Sequence, residues 1–235
     1  PATTVVRIPR LKAPFTIDGD AAKWRDAGIE PQIIITPEAS SGITGGPRDC
    51  SALVRIAWLG HDIYLHVIRF DDVIAAHQPA GRAYQQDTIE MCVNGFMEGV
   101  KHNISLTTDC GPVNQVDAWD MQPAERLARD HSPLVIIVRD DARSIPERQI
   151  VESIYGVDMS DCKVQIIETK IPMDARTYAR KPQARFDLAP GVEFWLGFMI
   201  DDNDQPGTDL QNFLVWPITY GTFSPKECGA RAVLE

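Results

Sequence analysis

Two neighbouring runs, Ser51-Ala-Leu-Val-Arg-Ile-Ala-Trp-Leu59 and Asp62-Ile-Tyr-Leu-His-Val-Ile-Arg-Phe70, decide the fold class. In the first run, the alternate residues from Val54 to Trp58 are apolar and point to one side. In the second, the alternate residues from Ile63 to Val67 do the same. A period of two is the side-chain period of a β-strand. The spacer Gly60-His61-Asp62 is turn-like, so the two runs predict a β-hairpin.

Eight further runs rich in Val, Ile, Phe and Trp have the composition of a half-buried pleated surface. They are Gln32–Thr36, Thr88–Asn94, Lys101–Leu106, Leu134–Arg139, Gln149–Tyr155, Lys163–Ile171, Val192–Asp201 and Phe213–Thr219. Helical signals are confined to Ala124–Arg129 and Met173–Tyr178. About ten short strands separated by turn residues predict an all-β fold, a single antiparallel β-sandwich with a jelly-roll-like or immunoglobulin-like two-sheet architecture.

The distribution of turn residues predicts one domain over residues 1–235. The 17 Pro and 16 Gly are scattered and do not form a linker, and no internal repeat is visible. The stretch Thr107–Ser132 is long for a loop in a compact domain, and loops of that kind are usually functional. An irregular insertion is expected around residues 109–145, because this stretch does not follow the series of motifs set out below.

The charge balance excludes several partners. The chain has 23 Lys+Arg against 33 Asp+Glu, a formal net charge of −10. Phosphate backbones are bound by clustered Lys and Arg, so no nucleic-acid partner is expected. An apolar run of about 18 residues, which a membrane span needs, does not occur, so no membrane insertion is expected. The 5 His form neither HExxH nor an i,i+4 pair, which argues against zinc.

The cysteines and the start of the chain indicate in which cellular compartment the protein resides. The 5 widely spaced Cys form no CxxC. They allow either two disulfides plus a free thiol, in an oxidising compartment, or five buried thiols. The chain starts at Pro1 without a Met or an apolar signal region, which predicts a processed product whose export signal has been removed.

A series of short motifs runs in order along nearly the whole chain. They are Phe15-Thr-Ile-Asp-Gly-Asp-Ala-Ala-Lys-Trp24, the hairpin with its acidic end Asp71-Asp72, Tyr84-Gln-Gln-Asp-Thr-Ile-Glu90, Glu168-Thr-Lys-Ile-Pro172, Gly197-Phe-Met-Ile-Asp-Asp-Asn-Asp204, Trp216 and Phe223-Ser-Pro-Lys-Glu-Cys-Gly229. In order and spacing, the series resembles family 9 carbohydrate-binding modules. The resemblance implies a non-catalytic β-sandwich that binds carbohydrate, is extracellular or periplasmic, and is appended to a secreted enzyme of polysaccharide degradation.

The resemblance also implies a sugar site built on two aromatic rings. A pyranose has an apolar C–H face, which a flat ring covers, and a rim of hydroxyls. Tyr84 lies at the position of the first clamp aromatic, which in the family is usually Trp, so a weaker or different sugar specificity is expected. Phe223 is the candidate for the second ring, with Tyr220 as its substitute; Phe223 packing beneath the last strand is the alternative.

Polar candidates for the sugar hydroxyls lie on the next strands. Glu90 matches the family's hydroxyl-binding carboxylate, and strand alternation separates it from the apolar face of Ile89 and Met91. Asn103 falls where the family has a polar contact on the following strand, and Gln86 is a further candidate. Asp87, where the loop enters the strand, is interpreted as a turn residue.

Three acidic turns at family positions are candidates for structural Ca²⁺, which takes six to eight oxygen ligands. Their residues are Asp18, Asp20, Asp71, Asp72, Asp201, Asp202 and Asp204. The spacing after Asp201 lacks the late Glu of an EF-hand, so that motif is excluded. Solvated turn aspartates are the alternative interpretation.

Three rival functions stay open at this point. A b-type haem domain of the same fold would take axial ligands from Met91, Met97, Lys101 or His102, although no spacing singles out a pair. A glycosidase would need two convergent carboxylates, for which Asp87 and Glu90 are the candidates, and no catalytic motif supports one. A structural domain that has lost the sugar site is the third rival, because fold does not imply function.

Overall fold

The structure is a computed structural model that describes residues 5–37, 41–43, 45–74, 87–95, 102–107, 114–118, 133–172, 187–204, 212–217 and 230–235. Its elements are β1 (Val5–Ile8), α1 (Ala22–Asp26), β2 (Ile33–Ile35), β3 (Ser41–Ile43), β4 (Cys50–Leu59), β5 (Asp62–Asp71), β6 (Thr88–Gly95), β7 (His102–Thr107), β8 (Asn114–Ala118), β9 (Leu134–Arg139), α2 (Arg148–Tyr155), β10 (Lys163–Pro172), β11 (Glu193–Asp202), β12 (Asn212–Trp216) and β13 (Ala230–Leu234). The described strands form two sheets, which confirms the all-β sandwich. Neither described helix is long and apolar enough to cross a bilayer.

The smaller sheet is built on the predicted hairpin. Within the described ranges it has five strands in the order β2-β4-β5-β10-β9, all antiparallel. Strands β4 and β5 pair from Leu59 opposite Asp62 to Cys50 opposite Asp71. The predicted hairpin is therefore confirmed, and its turn consists of Gly60 and His61.

The larger sheet contains one exception to the antiparallel prediction. Its described strands follow the order β1-β13-β11-β6-β7-β8, with β12 beside β11 and β3 beside β12. Strands β1 and β13 run parallel, from Val5 opposite Arg231 to Ile8 opposite Leu234. A hairpin turn imposes antiparallel pairing only on the strands that it joins. Nearly the whole chain separates β1 from β13, so that constraint does not act on them.

The main core lies between the two sheets and confirms the predicted faces of the hairpin. Ile56, Trp58 and Ile63 all belong to it, together with Ile89 and Met91 of β6. Each of the five is at most 2% exposed. The alternating positions of the sequence therefore meet in one apolar layer, which supplies the main stabilisation of the fold.

The outer face of the smaller sheet is buried as well. Ile68 and Phe70 pack there against Val151 of α2, in a second apolar cluster. Tyr64 packs with Trp24 of α1 in a third cluster. Strands β4 and β5 are consequently covered on both faces.

The predicted strand Gln149–Tyr155 is wrong, because this segment forms helix α2. Its apolar residues recur at the helical spacing of four, as Ile150/Ile154 and Val151/Tyr155, which matches a helix face. Gly156 ends the helix in the left-handed conformation, with φ +66°. Helix α1 was not predicted, while the predicted helices Ala124–Arg129 and Met173–Tyr178 lie outside the described residues.

The described parts of the proposed insertion around 109–145 are strands at sheet edges. Strand β8 pairs with β7, and β9 pairs with β10. Two cysteines are also placed: Cys50 and Cys162 are buried free thiols. Three cysteines remain, so the alternative of two disulfides is wrong and at most one can form.

Candidate functional site

The polar sugar candidates lie on two adjacent strands of the larger sheet. Glu90 pairs with Ser105, and Asn103 pairs with Cys92, so Glu90 and Asn103 occupy diagonal positions on one face. That face is opposite to the core residues Ile89 and Met91. Tyr84, Gln86, Tyr220 and Phe223, the remaining sugar candidates, lie outside the described residues.

An aromatic residue shares this outer face. Trp195 packs with Met199 and Val215 in a small cluster separate from the main core. Across the strand pair, Met199 is opposite Glu90. Trp216 lies in the main core, whereas Trp195 is partly buried against the separate cluster. The alternation of side chains along β11 could have predicted this position, because the neighbours Phe194 and Leu196 point into the core and Trp195 therefore points to the opposite face.

Four chain segments bring carboxylates together at one end of the sandwich. Within the described ranges, two groups of three have oxygens within 4.8 Å of one another: Asp49, Asp72 and Asp204, and Asp71, Asp202 and Asp204. They combine the predicted acidic turns after β5 and after β11. Sequence reasoning missed Asp49, because only the fold brings the segment before β4 to these turns.

A buried arginine lies beside the second of these groups. Arg69 of β5 is fully buried, and its Nη2 lies 3.1 Å from Oδ1 of Asp87 and 3.1 Å from Oδ1 of Asp202. Nη2 also pairs with Asp71. Asp87 in addition accepts the backbone N–H of Asn203 at 3.0 Å. Asp87 thus joins Arg69 to the backbone of Asn203.

The carboxylates at this end outnumber the single guanidinium that faces them. Burial raises the pKa of Asp71 to about 8 and that of Asp202 to about 7, although the charge of Arg69 opposes the shift. Burial also raises the pKa of Asp204, to which neighbouring carboxylates add. Oδ2 of Asp202 and Oδ1 of Asp204 are buried without a hydrogen-bond partner. Acceptor oxygens that lack a positive partner fit a hard divalent cation such as Ca²⁺.

The remaining predicted metal ligands, which belong to neither group, are Asp18, Asp20 and Asp201. The backbone carbonyl of Asp201 accepts Nη1 of Arg69 at 2.8 Å, and neither group within the described ranges includes this residue. Asp18 pairs with Lys23, and its pKa is lowered by that hydrogen bond. Oδ1 of Asp20 accepts the N–H of Ala22 at 2.8 Å. The first acidic turn is therefore held by protein donors.

Two of the candidate haem ligands, Met91 and His102, lie on adjacent described strands of the larger sheet. Met91 is fully buried in the main core, and His102 begins β7 opposite Val93. Met97 and Lys101 lie outside the described residues.

These features define the class of fold: a two-sheet β-sandwich with an acidic, arginine-containing end. No protein-family model matches the chain, and no curated protein sequence matches it. Among solved structures, it is similar to a family 9 carbohydrate-binding module from Caldicellulosiruptor kristjanssonii in complex with cellotriose. The TM-score is 0.60 at 13% identity over 98% of this chain and 93% of that one.

Two other structures show the same likeness. A complex of a family 9 module from the same organism with glucose has a TM-score of 0.59 at 14% identity, covering 97% of this chain and 95% of that one. A protein from Bacteroides uniformis, itself proposed to bind carbohydrate, has a TM-score of 0.60 at 14% identity over 100% of both chains. The predicted resemblance to this family is thus confirmed at the level of the fold.

Proposed function

We propose that this chain is a non-catalytic carbohydrate-binding module that binds a small sugar or a polysaccharide chain end. The observation that carries the proposal is the fold, which matches modules bound to cellotriose and glucose over almost their whole length. The register adds support, because it places Glu90 and Asn103 diagonally on one face of adjacent strands. A carboxylate and an amide suit sugar hydroxyls, since together they accept and donate hydrogen bonds.

Aromatic stacking supplies the other half of the proposed mechanism. Tyr84 covers the apolar face of the sugar, Phe223 or Tyr220 covers its opposite face, and Gln86 is a further hydroxyl partner. Trp195 adds aromatic surface on the face that carries Glu90 and Asn103. Ring stacking contributes binding free energy by covering the apolar faces of the sugar, while the polar groups select the arrangement of hydroxyls.

Calorimetric titration with glucose, cellobiose and cellotriose tests the sugar site. Tyr84→Ala is expected to abolish measurable binding, and Glu90→Gln to weaken it by about tenfold, the effect of one lost charge-assisted hydrogen bond. Glu193→Gln is the matched control, because Glu193 pairs with Arg231 at the surface. Unchanged affinity in Tyr84→Ala, with an unchanged melting temperature, would exclude this site. Binding of none of a broad glycan panel would instead favour a structural domain.

We further propose that Ca²⁺ binds the acidic end of the sandwich as a structural ion. The support is the donor set described above: buried carboxylate oxygens without partners, in groups within 4.8 Å. An ion that binds only the folded state raises the melting temperature. Identical melting curves in Ca²⁺ and in chelator would refute this part of the proposal.

The proposed context is a secreted protein, extracellular or periplasmic, with a catalytic domain for polysaccharide degradation as partner. This context follows from the resemblance and is independent of the site chemistry. Co-purification of the chain with a polysaccharide-degrading activity from its natural source would test it.

A further inference from the structure

A cavity lies on the outer face of the smaller sheet, on the opposite side of the sandwich from the sugar candidates. Its volume is about 200 Å³, and its walls are the Asp-Gly turn, the end of β9 and the segment before α2. Four isoleucines form its apolar lining: Ile68, Ile137, Ile145 and Ile166. Drug-sized ligands occupy cavities of about 300 Å³ or more, so this cavity fits a molecule the size of a monosaccharide or an amino acid.

Two of the acidic groups at the rim of this cavity are paired within the protein. Oε1 of Glu147 accepts Nη1 of Arg25 at 2.5 Å and Nη2 of Arg55 at 2.8 Å. Asp18 pairs with Lys23. The charges of Glu147, Arg25 and Asp18 are therefore compensated without a ligand.

Arg139 and Asp20 are the other two charged groups of the rim. In the part of the chain that the structure describes, the guanidinium of Arg139 has no carboxylate partner and contacts Oγ of Ser144 at 3.4 Å. Oδ1 of Asp20 accepts the N–H of Ala22 at 2.8 Å, and no cation pairs with Asp20 within the same ranges. An apolar cavity with one free positive and one free negative group complements a molecule with a carboxylate, an apolar surface and hydrogen-bond donors.

We propose that this cavity binds a small carboxylic acid that also carries hydrogen-bond donors. The carboxylate pairs with Arg139 and accepts the hydroxyl of Ser144, the apolar surface covers the isoleucines, and the donors reach Asp20. Hexuronic acids and apolar amino acids share this chemistry, the first through hydroxyl groups and the second through an ammonium group. The inference goes beyond the proposed sugar site, with which the cavity shares no residue.

Calorimetric titration of the full chain with D-glucuronate and with L-leucine tests the proposal. At least one of the two acids is expected to bind, and Arg139→Gln is expected to weaken that binding by at least about tenfold, because the carboxylate loses its charge-assisted hydrogen bonds. Arg143→Gln is the matched control, because Arg143 is exposed in the neighbouring segment and does not line the cavity. Binding of neither acid, or equal affinities in the two variants, would overturn the inference.

Asp20→Asn tests the other end of the cavity. The amide oxygen of Asn can still accept the N–H of Ala22, so the melting temperature is expected to stay unchanged. The affinity for the acid that binds is expected to fall by at least about threefold, because its donors lose a charged acceptor. Asp26→Asn is the matched control, because Asp26 is exposed at the end of α1 and does not line the cavity. Equal affinities in these two variants would overturn the assignment of Asp20, and with it the inference.

Titrations of Tyr84→Ala with the same acids separate this inference from the proposed sugar site. Binding that Tyr84→Ala retains and Arg139→Gln loses supports the cavity, whether or not the chain binds neutral sugars. Glucuronate binding that Tyr84→Ala loses and Arg139→Gln retains belongs to the sugar site and overturns the inference.

Discussion

The carboxylate of Glu168 accepts the indole N–H of Trp24 at 2.8 Å, across 144 residues of chain. It also accepts the backbone N–H groups of Asp18 at 2.9 Å and Gly19 at 2.7 Å, and Nζ of Lys23 at 2.8 Å. Four donors from one turn and helix α1 therefore meet one fully buried acid. Two motifs of the resemblance therefore contact each other in the fold. One is the Asp-Gly turn with its Trp, and the other is the Glu-x-x-Ile-Pro strand end.

Glu168→Gln is expected to lower the free energy of unfolding by about 3 kcal/mol, the effect of breaking a buried ion pair, because a neutral amide leaves Lys23 without its buried partner. Urea denaturation with an unchanged m-value measures the loss. Glu193→Gln removes an exposed pair and is expected to cost less than about 1 kcal/mol. Equal losses in the two variants would show that the buried contacts of Glu168 stabilise the fold no more than an exposed ion pair does.

Gly19 lies where the Asp-Gly turn approaches β9. It has φ +78°, and a Cβ at this position would lie 2.6 Å from Cδ1 of Ile137. Gly28 is a matched control, with φ +74° and no atom within 4 Å of a Cβ. Both Ala variants incur a backbone cost of about 1 kcal/mol, and Gly19→Ala costs up to about 1 kcal/mol more, because the end of the Ile137 side chain has to move. Chemical denaturation that finds the two variants equally stable would contradict this close approach.

The parts of the fold that follow from local patterns were predictable. The hairpin of β4 and β5 needed only the alternation of apolar residues and a turn between the runs, both of which are short-range signals. Strand β6 was predicted for the same reason, and its core residues Ile89 and Met91 with it. These residues make the main contacts of the sandwich, so local periodicity was sufficient to give the fold class.

The contacts that define the acidic end depend on tertiary structure. Arg69 occupies a position in β5 that alternation assigns to the interior, where a charge is costly unless it is paired. Its partner Asp202 ends β11 of the other sheet and Asp87 directly precedes β6, so no sequence spacing indicates the pairing. Asp49 is brought in by the same topology. Such clusters can be read from a sequence only once the sheet order is known.

Helix α2, where a strand was predicted, buries one face against the smaller sheet, and this burial can be tested by mutation. Val151 is fully buried against the smaller sheet, while Ile154, three residues later, is 50% exposed. Val151→Ala is expected to lower the free energy of unfolding by about 2 kcal/mol, and Ile154→Ala by less than about 0.5 kcal/mol. Similar losses at both positions, measured by urea denaturation, would be incompatible with a helix that buries one face.

A buried polar row crosses the outer face of the smaller sheet. His66 of β5 pairs in register with Arg55 of β4 and with Glu168 of β10. Trp24 covers it, with ring centroids 5.8 Å apart. Burial lowers the pKa of His66 to about 4, and the charge of Arg55 adds to this effect while Glu168 opposes it. The imidazole is therefore neutral in the folded protein at neutral pH.

This lowered pKa predicts acid sensitivity with a definite sign. The unfolded chain binds a proton at His66 below its ordinary pKa of about 6.5, whereas the folded protein does so only near 4. Stability from this residue is thus fully present above pH 6.5 and is lost as the pH falls to 4, by about 3 kcal/mol. His66→Leu cannot titrate, so its unfolding free energy should fall less over this range. Parallel pH profiles of wild type and variant, from urea denaturation at each pH, would show that His66 titrates normally.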